Sequence, residues 1–153
     1  MAFALTSPEF ADGQPIPRQF TCDGAGGPPP LHVRDTPPDA RSFAIIMDDP
    51  DAPRGTFTHW LAYDIPADGP ELKATAGKTL ANDFGRNGYG APCPPAGHGA
   101  HRYYFTVYAL DVPSLDVPGA TRDDLQAAID RHTLAKARLM GRYERAGAAR
   151  RAG

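Results

Sequence analysis

Cysteine is scarce in this chain: Cys22 and Cys93 are the only two in 153 residues. Two are too few for a disulfide framework. In a reducing compartment both stand as thiols, with a Cys22–Cys93 pair as the alternative. Long apolar runs are missing as well, and no stretch approaches the roughly 20 apolar residues of a membrane-spanning helix. The opening residues, MAFALTSPEF, carry no basic stretch and no apolar core, so no secretory leader is expected and the expected compartment is the cytoplasm. Charge of one sign is lacking too. A net charge of -2 leaves no basic face for nucleic acid. Arginines gather only between Arg142 and Arg151, and a basic run at a chain end reads as a solvated, flexible tail from about 146 to 153. No Gly-x-Ser-x-Gly occurs, and Ser7, Ser42 and Ser114 stand in poor settings for a nucleophile. The Gly-Lys-Ser/Thr ending of a phosphate-binding P-loop is absent. With no repeat and no linker, residues 1–153 read as a single domain long enough to bury a core without staples.

Proline and glycine are plentiful, and they fall in clusters between short apolar runs. That is the pattern of an all-β domain. Ser42–Met47 is a compact apolar run and reads as a buried strand. Thr58–Ile65 alternates, placing His59, Leu61, Tyr63 and Ile65 on one face and Trp60, Ala62 and Asp64 on the other. Arg102–Leu110 is dense in aromatic and β-branched residues. After Gly119 the period changes. Thr121 suits an N-cap, Asp123 and Asp124 suit a first turn, and Leu125, Ala128, Ile129 and His132 recur at helical spacing. His132 on that stripe reads as a core or helix-contact residue. Past Ala137 the alternation of Leu139, Gly141 and Tyr143 with Met140, Arg142 and Glu144 predicts a closing strand. One helix cannot cover a sheet on both sides. The expected fold is therefore dominated by β-structure: an antiparallel sandwich of two sheets, with one or two C-terminal helices packed outside.

Two stretches carry the chemistry. In the first, Asp49-Pro50-Asp51-Ala52-Pro53 precedes Thr58-His59-Trp60; in the second, Gly90-Ala91-Pro92-Cys93-Pro94-Pro95 precedes His101-Arg102-Tyr103. Each joins a proline-stiffened turn to a histidine at a strand edge. Asp49, His59, His101 and Tyr103 together could line a pocket for a small anion. A carboxylate beside an imidazole favours the imidazolium, and imidazolium and phenol groups donate well to phosphate oxygens. Pro50 and Pro53 fix the turn that aims the aspartates, and prolines present an apolar wall without using hydrogen-bond partners. Asp51 and Arg102 read instead as an internal ion pair tying the two loops. Cys93, between prolines, reads as architectural rather than nucleophilic. Two histidines and a carboxylate can also ligate iron or zinc, but no His-x-His or His-x-x-x-His spacing occurs, so neither metal nor cofactor is expected. The loop 85–99 is long and proline-stiffened, which suits a functional loop of fixed shape.

These motifs, with Asn82-Asp83-Phe84-Gly85 and the ending Leu125–Arg145, resemble the phosphatidylethanolamine-binding protein family, in particular its bacterial and archaeal Raf-kinase-inhibitor-like branch. The resemblance covers nearly the whole chain. It implies a β-sandwich with an anion pocket near one end, with Asp49, His59, His101 and Tyr103 as binding residues, Pro53 and Pro94 as walls, and the Cys93 backbone N–H on the anion. It also implies Asp51 and Arg102 as the paired positions. Two departures stand out: Ala91 replaces a usual glycine, and Val33 a common tryptophan. The expected function is a non-catalytic protein that binds a small anion or a phosphorylated small molecule, with a regulatory role open. The alternative is a protein inhibitor or scaffold for a kinase or serine protease, and a hydrolase using His59 or His101 as base ranks behind both. Neither a protein partner nor the choice between monomer and homodimer is legible.

Overall fold

The computed structural model of the protein describes residues 2–146. The tail expected from about 146 lies outside them but for its first residue. Strands β1 (Ala4–Thr6) and β3 (His32–Arg34) pair as a small antiparallel sheet. The large sheet has six strands in the order β2 (Gln14–Pro15), β8 (Thr133–Tyr143), β7 (His101–Leu110), β4 (Ser42–Asp49), β5 (Phe57–Pro66) and β6 (Lys78–Thr79). All its pairings are antiparallel except β2 with β8, which run parallel, so the large sheet is mixed.

Strand β4 is an unbroken apolar run because it is central and covered on both faces. Phe43, Ile45 and Met47 join Leu5, Val33, Phe105 and Val107 in the core between the two sheets. Ala44 and Ile46 face the opposite core, where Leu125, Ala128 and Ile129 of helix α1 (Arg122–His132) cover the sheet. Thr121 caps this helix by accepting from the Asp124 amide at 3.1 Å. His132 sits at the last turn rather than in the core, half-buried, with Nδ1 2.9 Å from Asp111 Oδ1. Thr133 turns extended at once, so helix and closing strand join without a loop. Among the described residues no helix is long and apolar enough to cross a membrane.

Two departures from simple alternation matter for the site. The β4–β5 register slips between Phe43 and Ile45 and again between Met47 and Asp48. At the first slip Asp64 takes a left-handed φ of 54°. Ile65 consequently joins Trp60 and Ala62 in the inter-sheet core rather than sharing the face of Leu61 and Tyr63. At the second, Met47 pairs with Trp60 and Asp48 with Thr58, leaving His59 as the extra residue of a bulge. A bulge re-aims a side chain, and the His59 ring lies against Tyr103, on the inter-sheet side, instead of with Leu61.

The two cysteines are not thiols. Cys22 and Cys93 form a disulfide across a sequence separation of 71. It ties the turn after Phe20 to the proline loop, beside a hydrogen bond from the Cys22 amide to the Pro92 carbonyl at 3.0 Å.

Candidate functional site

Strand β4 ends at Asp49 and strand β7 begins at His101, and the β4–β7 pairing brings these ends together. Both carboxylate oxygens of Asp49 are engaged. Oδ1 accepts from the Asp51 amide at 2.8 Å, an Asx turn that shapes the Asp-Pro-Asp corner. Oδ2 accepts from His101 Nδ1 at 2.7 Å. Tyr103 lies two residues along β7 and so shares the inward face with His101, while Arg102 points outward. Arg102 meets Asp51 through Nε at 2.9 Å, Nη2 at 2.8 Å and its backbone amide at 2.9 Å. Those hydrogen bonds hold the Asp51 carboxyl down to about 2. This pair fastens the corner after β4 to the start of β7.

Asp49, Pro53, His59, Cys93, Pro94, His101 and Tyr103 all line one hollow of about 190 Å³. Its floor is polar and buried, since Asp49, His59, His101 and Tyr103 are each no more than 3% exposed. Its rim is apolar and open, and includes Phe57, Phe84 and Pro95. Motif reading did not place Phe57 and Phe84 at the site. The Phe84 ring, 41% exposed, packs edge-on against Phe57 and His59. Asn82 holds it there by accepting from the Phe84 amide at 2.9 Å and donating to the Gly88 carbonyl at 3.0 Å. The signal available in the sequence was an aromatic ring in the polar Asn-Asp-Phe-Gly turn. Ala91, the noted departure, does not line the hollow.

The electrostatics follow from these contacts. His59 Nδ1 is 2.7 Å from the Gly90 carbonyl. A carbonyl only accepts, so Nδ1 carries the proton and Nε2 is the nitrogen left to titrate. Burial pushes the His59 pKa below its ordinary value, opposed by the Gly90 hydrogen bond and by Asp49. Burial pushes Tyr103 far upward, so the phenol keeps its proton and remains a donor. Among the described residues no lysine or arginine lines the hollow. With Asp49 ionised, the Asp49–His101 dyad carries a net charge of zero at most. A net positive charge in the pocket must therefore come from His59 or from a group outside the dyad. The Cys93 sulfur is committed to the disulfide and is no nucleophile.

A family profile described as phosphatidylethanolamine-binding protein matches residues 6–144. A UPF0098 protein of Aquifex aeolicus is 49% identical over 148 residues, covering 91% of this chain and 86% of that protein. A Mycobacterium tuberculosis relative that carries a lipoprotein name, LppC, is 43% identical over 92% of this chain and 71% of its own length. Among solved structures, a phosphatidylethanolamine-binding protein homolog from Chlamydia trachomatis, CT736, superposes with a TM-score of 0.85 at 40% identity, covering 94% of this chain and 98% of that one. YbcL of E. coli, described as a member of the mammalian family, gives 0.83 at 28% identity, covering 94% and 99%.

Proposed function

The chain belongs to the phosphatidylethanolamine-binding protein family, and from that premise we propose that its pocket binds a small oxyanion, either inorganic phosphate or the phosphate of a small phosphorylated molecule, without turning it over. One observation carries the reading. Two imidazoles from distant segments, His59 and His101, meet on one buried floor with a protonated phenol beside them. Phosphate oxygens are natural acceptors for these donors. Because no Lys or Arg among the described residues lines the pocket, binding is weak and proton-linked. The non-catalytic reading is supported by the lining itself, which offers neither a serine nor a free thiol.

Calorimetry at pH 6 and pH 8 tests this. Wild type is expected to bind phosphate more tightly at pH 6, by up to about tenfold per pH unit for one linked proton. Sulfate, which does not itself titrate in this range, is expected to follow the same trend. His59→Ala is expected to flatten it. Equal affinity in wild type and variant at both pH values rejects the pocket as described. Turnover of phosphoesters or esters that is lost in His101→Ala would replace this reading with a hydrolase.

The competing reading is a protein inhibitor or scaffold, whose partner would grip the exposed rim at Phe84. A partner retained by Asp49→Ala after phosphate binding is lost favours that reading. As to compartment, the Cys22–Cys93 bond supports an oxidising one over the cytoplasm.

A further inference from the structure

His101 has no ring nitrogen to spare. Nδ1 is held by Asp49 at 2.7 Å, and Nε2 lies 2.9 Å from Nδ1 of His98. His98 is exposed, lies outside the lining of the hollow, and stands between Gly97 at φ 77° and Gly99 at φ 90°. These left-handed glycines give the backbone on either side of His98 conformations open to few other residues. Two hydrogen bonds anchor the segment at its base: the Gly97 amide to the Arg145 carbonyl at 2.9 Å and the His98 amide to the Pro95 carbonyl at 3.1 Å. The imidazole therefore projects from a fixed base onto the one nitrogen through which His101 could hold an anion.

We propose that His98 is a latch on the anion site: it caps His101 Nε2 while the pocket is empty and yields that nitrogen when an oxyanion arrives. The inference rests on the anion reading of the pocket. Asp49 keeps Nδ1 occupied whatever happens, so Nε2 is the only His101 nitrogen that can exchange one partner for another. Cap and anion compete for it, and each binding event breaks one imidazole–imidazole hydrogen bond. His98 thereby sets the affinity of the site without touching the ligand. It is a positioning residue.

The test uses the full-length protein with inorganic phosphate as probe. Calorimetry at pH 6 compares wild type, His98→Ala and His98→Asn. Removing the cap is expected to tighten phosphate binding about fivefold, the worth of one net hydrogen bond. His98→Asn keeps a side-chain carbonyl that can accept from the same Nε2–H an oxyanion would take, and is expected to return affinity toward wild type. Nitrogen NMR of the histidine rings supplies a readout that a merely structural role would not move. The His101 Nε2 signal of wild type is expected to shift on phosphate addition together with that of His98 Nδ1. Weaker or unchanged binding in His98→Ala overturns the latch, as does a His98 signal indifferent to phosphate. Phosphate binding that is present but insensitive to His98 defeats the latch alone. Absence of binding in every variant defeats the anion reading and the latch with it.

Discussion

At the scale of single residues, the histidines differ by what holds their second nitrogen. His59 is a buried base whose Nδ1 proton is donated to the Gly90 carbonyl, with Nε2 left to titrate. Its folded pKa lies below the ordinary 6.5. The unfolded chain therefore takes up this proton first as the pH falls. The His59 contribution to stability is full above about pH 6.5 and is lost as the pH drops through the folded value, at no more than about 1.4 kcal/mol per pH unit. Chemical denaturation of wild type and His59→Asn across pH 8 to 5 checks this, with the variant expected to lose less stability on acidification. Phosphate should reverse the sign, because a bound anion favours the charged ring. Its protection is expected to be greatest at the acid end. Residue identity at the site was largely legible. The types and spacing of Asp49, His59, His101 and Tyr103 point to one chemistry, and the structure puts all four on one floor. The roles were less legible. Asp49 was expected to meet the ligand, and the structure gives its two oxygens a further role, accepting from the Asp51 amide and from His101. Such satisfaction depends on contacts that spacing does not encode.

At the scale of elements, the strands could be read from apolar alternation and the helix from its cap, but the face of each β5 residue could not. Alternation assumes an unbroken pleat, and two bulges break it. They move Ile65 and His59 to the side opposite the one the period-two pattern assigns. The aromatic rim escaped for a related reason, since Phe84 is brought in by a turn and not by a strand. Gly90 keeps that turn close to β5. A Cβ there would stand 2.6 Å from the Phe84 ring and 3.0 Å from the His59 carbonyl. Gly90→Ala is expected to displace Phe84, to cost about 1–3 kcal/mol, and to change phosphate affinity along with rim geometry. Denaturant titration and calorimetry on the same preparation measure both. A variant with wild-type values for the two would refute the role given to this contact.

At the scale of the whole molecule, one covalent bond joins the N-terminal third to the wall of the pocket. Cross-linking positions 71 apart limits the unfolded chain, and the loop-entropy estimate is on the order of 4 kcal/mol. Cys22→Ser is expected to shift the urea midpoint down accordingly, and reduction of wild type should reproduce the shift. Alkylation of cells before lysis, followed by mass spectrometry of the two cysteines, reads the compartment: cysteines that escape the reagent because they are disulfide-bonded mark an oxidising one, and alkylated cysteines the cytoplasm. The pairing itself could not be settled from two cysteines, because proximity in space is a property of the fold.

The account stands on one physical statement: a floor of two imidazoles and a phenol, with no lysine or arginine among the described residues that line it, holds negative charge by taking up a proton. Its most direct test is a crystal structure of wild type grown at pH 6 in phosphate. The predicted result is density for a tetrahedral anion within about 2.6–3.2 Å of Nε2 of both His59 and His101, with the His98 ring turned away. An empty hollow, with phosphate seated only on surface arginines, would contradict it.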